Sequence, residues 1–147
     1  MAEPDRYTLD TSAIIAYFTN EDGADRVEAI LAAAERGKAQ AYASFMSHME
    51  VLYRVWRRLG ERAGKAAYLR LKALAIHRID VSEDLLLAAS RIKAAHDLSV
   101  ADAWIAATAL VTGSRLVHKD PEFRPLAGEI PLLELPLRAS RTRIKPP

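Results

Sequence analysis

Asp10, Glu50, Asp102 and Asp120 are the side chains of this sequence best suited to chemistry, yet each also has an ordinary structural explanation. Asp10 could cap the helix that follows its strand, and Asp120, in Lys-Asp-Pro-Glu, is placed as an N-cap with Pro121 at the first helical position. Asp102 fits a capping box with Ser99 in Ser-Val-Ala-Asp, and Glu50 could pair with Arg54 one helical turn on. Taken one at a time, these structural roles are the better account. Gathered in one place, the four would repel one another and raise some of their pKa values unless a cation neutralised them. The chain has no cysteine, and His48, His77, His96 and His118 lie far apart without zinc-type spacing, so any metal must be held by oxygen. Hard oxygen ligands, an incomplete protein shell and room for water suit Mg2+ or Mn2+. Such an ion would activate water and stabilise charge on a phosphoryl group during an in-line displacement.

Whether the four meet depends on the elements that carry them. Arg6 to Asp10 reads as a short strand ending at an acid, and Thr11 to Phe18 opens a helix behind it. After a polar break, the alanine-rich segment from Ala24 to Glu35 is helical by propensity and stops at Gly37. Ala39 to Ala43 is a second strand, and Ser44 caps a helix from Phe45 to Leu59 that Gly60 ends. On that helix Met49, Leu52, Tyr53, Trp56 and Leu59 follow helical spacing and are expected to form its buried face. Glu50 falls on the opposite side with Arg54 and Arg57, so the core does not need it. Glu61 to Leu74 reads as a helix and Ile76 to Val81 as a third strand. Ser82 caps a helix to about Asp97, and Ser99 to Thr112 is a helix closed by Gly113. Ser114 to His118 and Leu132 to Leu135 supply the last two strands.

Strands separated by helical patterns argue for an α/β fold with a parallel, doubly wound sheet, and no internal repeat is present. In an open parallel sheet ligands bind at the carboxyl ends of the strands, near the point where strand order reverses. Asp10 ends the first strand, Asp120 follows the fourth, and Glu50 lies early in the helix after the second. Asp102, in the first turn of its helix, faces the same crevice if that helix packs beside the first strand.

Half of the 147 residues are hydrophobic, enough for one real core, and one domain is expected over 1–136 with a basic tail over 137–147. A net charge of +2 does not by itself announce a nucleic-acid binder. The distribution is more informative: Arg54, Arg57, Arg58, Arg62, Lys65, Arg70, Lys72 and Arg78 are opposed by the single acid Glu61. Of these, Arg54, Arg57, Arg62 and Lys65 lie close enough in sequence to Glu50 to contact RNA phosphates. The tail adds Arg138, Arg141, Arg143 and Lys145 with no acid, which serves solubility or phosphate binding. The first residues lack the basic and apolar regions of a signal peptide, and no run of roughly 18 to 20 apolar residues could span a membrane, so a cytoplasmic protein is expected.

Four short blocks in the right order resemble the PIN-domain family, and specifically the VapC toxins of VapBC toxin–antitoxin pairs. They are Leu-Asp-Thr-Ser-Ala at 9–13, Met-Glu-Val-Leu-Tyr-Arg at 49–54, Leu-Ser-Val-Ala-Asp-Ala at 98–103 and Leu-Val-His-Lys-Asp-Pro-Glu-Phe at 116–123. The resemblance implies a three-layer α/β/α fold around a central parallel sheet of about five short strands, with Asp10, Glu50, Asp102 and Asp120 as catalytic and metal-binding acids. Ser12 is the accompanying hydroxyl. It further implies Mg2+- or Mn2+-dependent endoribonuclease activity on RNA, dimerisation, and inhibition by a VapB-like antitoxin. His118 stands where the family usually has Thr or Ser; it could contact phosphate or a metal-bound water, or serve structure alone.

Two other readings are available. In phosphotransfer enzymes of similar outline an aspartate after the first strand is phosphorylated, but haloacid-dehalogenase-like enzymes need a second Asp where this chain has Ser12, and receiver domains need an acidic pair where Tyr7-Thr-Leu precede Asp10. A catalytically silent RNA-binding or scaffold domain is the alternative from a different class, and the intact set of acids argues against it.

Overall fold

A computed structural model describes residues 4–137. The expected basic tail lies outside the described residues, apart from Leu137. Five strands form one sheet: β1 (Asp5–Leu9), β2 (Ala39–Ser44), β3 (His77–Ile79), β4 (Arg115–His118) and β5 (Leu132–Glu134). Six α-helices connect them: α1 (Thr11–Phe18), α2 (Ala24–Glu35), α3 (Phe45–Leu59), α4 (Glu61–Lys72), α5 (Glu83–Ala95) and α6 (Val100–Thr112). A 3-10 helix, Pro121–Leu126, follows β4. The order across the sheet is β3-β2-β1-β4-β5, and every neighbouring pair is parallel.

The central strands carry apolar residues toward both faces, as a parallel sheet covered on both sides requires. Successive side chains of a strand point to opposite faces. Val117 therefore joins Leu9, Ala41 and Ala43 in a core closed by Ile14, Val27, Val51 and Leu71 from α1, α2, α3 and α4. Leu116 turns the other way, into a core with Leu85 and Ile92 of α5 and Ile105 and Ala106 of α6. The result is the expected three-layer α/β/α arrangement, its sheet sealed between two helical layers.

Local signals set the helix ends. Ser44, Ser82 and Ser99 each accept a bond from a backbone N–H in the first turn of α3, α5 and α6. Gly113, at φ +63°, takes the left-handed conformation that closes α6. The last three strands are shorter than expected, the third covering only His77–Ile79 of Ile76 to Val81, whereas β2 runs one residue further, to Ser44.

One expectation fails. Met49, Trp56 and Leu59 are 58%, 42% and 73% exposed, whereas the buried residues of α3 are Ser47, His48 and Val51. The apolar stripe does not face the sheet; α4 folds back on α3 as a hairpin and lies against the stripe instead. A Cβ on Gly64 would lie 2.8 Å from Trp56 Cβ and 2.9 Å from Leu52 O, so α4 approaches this stripe at backbone distance. Periodicity reveals an amphipathic helix; it does not say which neighbour covers its apolar side.

Candidate functional site

β1 and β4 lie side by side although the chain builds β2 and β3 between them, so the sheet reverses direction of growth at that seam. An open parallel sheet leaves its ligand crevice at such a seam, at the carboxyl ends of the strands. The Asp10 N–H donates to Val117 O at 2.9 Å, which holds Asp10 against the end of β4. Its side chain caps α1, with Oδ2 accepting from the Ser12 N–H at 3.0 Å and from the Ser12 hydroxyl. Ser12 Oγ also accepts from the Lys119 N–H at 3.0 Å, tying the first turn of α1 to the segment that carries Asp120. Asp120 caps the 3-10 helix, its Oδ1 accepting from the Glu122 N–H at 2.9 Å.

The other two acids arrive from helices. Asp102 sits in the first turn of α6, where its N–H donates to Ser99 Oγ at 3.0 Å. Glu50 lies in the second turn of α3, with Oε1 2.6 Å from Thr11 Oγ1 and Oε2 3.4 Å from Arg54 Nη2. Thr11 Oγ1 is also 2.9 Å from Ser47 Oγ, so a buried pair of hydroxyls fixes the Glu50 carboxylate. Every local role suggested by sequence is filled: Asp10 and Asp120 cap, Asp102 meets Ser99, and Glu50 pairs with Arg54. The same side chains are nonetheless close enough to sense one another's charge.

Asp10 is only 4% exposed. Burial pushes its pKa up to about 6; the Ser12 hydrogen bonds oppose this, and the charges of Asp102 and Glu50 add to it. Burial likewise raises Asp102 to about 6, with the charge of Asp120 next and those of Glu50 and Glu122 behind it, partly offset by the Ser99 hydroxyl. Carboxylate oxygens of Asp102, Asp120 and Glu122 all lie within 4.8 Å of one another. Such mutually repelling, partly desolvated, all-oxygen donors fit a hard divalent cation, because the cation offsets the repulsion among them.

The remaining candidates divide. Ser12 and Arg54 stand at the crevice. His118 is fully buried, edge-on to Phe123 at 5.3 Å between ring centroids, and burial lowers its pKa. A neutral imidazole in that position packs the core and cannot meet phosphate arriving from solvent. Arg57 lies over the Tyr53 ring, Arg62 is exposed on α4, and Lys65 pairs with Glu61 at 2.6 Å and lies over Trp56. The sequence reading missed Thr11, Ser47 and Glu122. Thr11 adjoins Asp10, Ser47 is one turn before Glu50, and Glu122 is two residues past Asp120, so adjacency to a chosen acid was their only signal.

A family model described as PIN domain matches residues 7–129. Solved structures share the fold at low identity. VapBC2 from Rickettsia felis, bound to a DNA fragment from their promoter, is 15% identical at a TM-score of 0.71, covering 89% of this chain and 99% of that one. DNA-bound VapBC from Salmonella typhimurium is 17% identical at 0.70, covering 88% and 98%. Mycobacterium tuberculosis VapC20, a sarcin-ricin loop cleaving toxin, is 22% identical at 0.64, covering 88% and 99%. No curated protein matches the sequence.

Proposed function

This chain belongs to the PIN-domain family, and on that premise we propose that it is a divalent-metal-dependent endoribonuclease, the VapC-like toxin of a toxin–antitoxin pair. The observation that carries the reading is the convergence of Asp10, Glu50, Asp102 and Asp120 from four separate elements on one crevice, with Asp10 and Asp102 both raised to about 6. Nothing in the packing of the two cores requires acids there.

Asp10, Asp102 and Asp120 would hold Mg2+ or Mn2+, with Glu50 beside them. The ion, when bound, supplies water activation and charge stabilisation at a phosphodiester. The chain's own residues do the rest. Ser12 orients the Asp10 carboxylate and locks the Asp120 segment to α1. Thr11 and Ser47 hold Glu50 in one rotamer, and Arg54 keeps a positive charge at the rim where a phosphate would enter. The toxin role is supported by likeness to VapBC structures. A small VapB-like antitoxin as inhibitor, a homodimeric state and a cytoplasmic location complete the proposal. Among the described residues no helix is long and apolar enough to cross a membrane.

The test is cleavage of cellular RNA by the purified chain in Mg2+ and in Mn2+, with and without chelator. Asp10→Asn and Asp102→Asn should each lower the rate by orders of magnitude while leaving the fold intact, and Asp120→Asn should be milder. Unchanged turnover in a well-folded Asp10→Asn variant would refute the assignment, and absence of metal-dependent cleavage would favour a silent RNA-binding domain.

A further inference from the structure

The basic residues that follow Glu50 are not equivalent. Lys65 is engaged by Glu61 and lies over Trp56, in the stripe that meets α4. Val51, Arg54, Val55 and Arg58 instead follow helical spacing along a second side of α3. Between that side and the end of α1 lies a hollow of about 550 Å3, within the range of about 300 to 1,000 Å3 typical of ligand sites. Fully buried Val51 and partly buried Val55 line it from α3, and Ile15 and Phe18 line it from α1. Arg54, Arg57 and Arg58, all exposed, stand around this apolar lining, which includes no acid. Among the described residues Arg57 and Arg58 pair with no acid, and the Arg57 guanidinium lies over the Tyr53 ring at 5.5 Å.

The hollow runs on into the carboxylate site. Ile15 and Arg54 line both it and a second hollow, to which Ser12, Glu21 and Lys119 also belong. The Ser12 hydroxyl donates to Asp10 and Arg54 reaches Glu50, so the second hollow ends at the acids. Along α1 the path from Ser12 to Phe18 rises about 9 Å. A stacked strand advances about 3.4 Å per nucleotide and an unstacked one more, so an RNA chain covers that path with about three nucleotides or fewer.

The occupant of such a place is apolar where α1 and α3 face each other and anionic at its edges. A nucleotide chain has this alternation, an uncharged planar base on each sugar and a phosphate between each pair. Bases stack on aromatic rings and arginine planes whatever their sequence, and Phe18 and the Arg57–Tyr53 pair offer both. Arg70, with its guanidinium 4.4 Å from the centre of the Phe18 ring, adds one more cation. An acidic peptide would also match the arginines, but its carboxylates would continue toward Asp10 and Glu50, whereas a phosphate chain continues toward the position of the cation. We propose that this hollow is a base-binding subsite for an unpaired RNA nucleotide within about three nucleotides of the phosphate at the acids, with Arg54, Arg57 and Arg58 on the flanking backbone. A base stacked and paired inside a helix cannot enter it, so the subsite selects single strands and loops. The inference takes its substrate class from the nuclease reading but does not depend on turnover.

The experiment uses the full chain in an Asp10→Asn background, which leaves RNA uncut, and three probes: a short mixed-sequence single-stranded RNA, its duplex, and a ribose-phosphate chain of equal length without bases. The single strand should bind about tenfold tighter than the chain without bases. Phe18→Leu keeps an apolar side chain but removes the ring; it should weaken the single strand about threefold and leave the other two probes unchanged. Arg57→Gln with Arg58→Gln should weaken the single strand and the chain without bases alike, and flatten the slope of log K against log salt by roughly 0.7 for each cation. Equal affinity for the single strand and the chain without bases overturns the subsite, as does a Phe18→Leu effect that is absent or the same for all three probes. Single-strand binding indifferent to every substitution, with an amphipathic Leu/Glu peptide bound by the parent protein and lost from the variants, also overturns it and gives the hollow to an acidic protein segment. If the base dependence is found but the natural chain cuts no RNA in Mn2+, the subsite stands and the nuclease reading fails alone.

Discussion

Asp10 and Asp102 share one physical condition: each is partly or wholly removed from water beside other acids, and each is raised from 3.8 to about 6. For the metal-free protein this has a definite sign. The unfolded chain releases these protons near pH 4 while the folded chain keeps them, so the two residues contribute stability that is complete below about pH 4 and lost as pH rises through about 6. Differential scanning calorimetry of metal-free protein should show their share as a fall in melting temperature between those limits, smaller in Asp10→Asn and absent when Asp102→Asn is added. Divalent cations bind the ionised form, so Mn2+ should raise the melting temperature by several degrees more at pH 7 than at pH 5, at about 2 to 4 °C per kcal/mol for a chain of this size. An equal effect at both pH values would separate the metal from these carboxylates. Thr11 belongs to the same scale. Its hydroxyl is 2.6 Å from Glu50, so isosteric Thr11→Val should lower kcat about tenfold through a misplaced carboxylate, and Thr11→Ser should restore it. A Thr11→Val protein as active as the natural one would leave Thr11 with packing alone.

Among the elements, the α3–α4 hairpin shows how packing redirects a sequence pattern. Met49, Leu52, Trp56 and Leu59 form a regular apolar stripe, yet the sheet receives Ser47, His48 and Val51. This rotation has a functional consequence, because it turns Glu50 inward to Thr11 at the edge of the core, with only 12% of its side chain exposed. The hairpin depends on the close approach at Gly64. Gly64→Ala gains about 1 kcal/mol in helix propensity but drives a methyl to 2.8 Å from Trp56 Cβ, and overpacking typically costs about 1 to 3 kcal/mol. Thermal denaturation should therefore show net destabilisation, accompanied by reduced cleavage because α3 carries Glu50. A stabilised variant would mean that the hairpin is loosely packed. Ser12, in the first turn of α1, bridges Asp10 to Lys119 and so adds a side-chain tie to the Asp10 N–H bond to Val117 O that sets α1 against the Asp120 segment.

For the whole molecule, the proposed toxin role makes two demands that are measurable without knowledge of the RNA. Light scattering of the purified chain should report a dimer, and Leu59, Leu87 and Val100, 73%, 58% and 60% exposed, are apolar surface available to a second copy or to an inhibitor. Expression should arrest growth, and a small protein encoded beside it should relieve the arrest and copurify; a monomer without such a partner would leave a nuclease but no toxin–antitoxin pair. The division between sequence and structure follows from the range of the forces involved. Strand and helix identities, the serine caps, Gly113 and the four spaced acids were legible because each is a local preference of a few neighbouring residues. That Asp10 and Asp120 flank the reversal point could be anticipated from strand–helix alternation, since it follows from parallel order. Tertiary structure decided the rest. It turned the α3 stripe away from the sheet, buried His118 against Phe123, recruited Thr11, Ser47 and Glu122, and separated Lys65 from the site. Each of these depends on which surfaces exclude water from each other across tens of residues, and no local spacing encodes that.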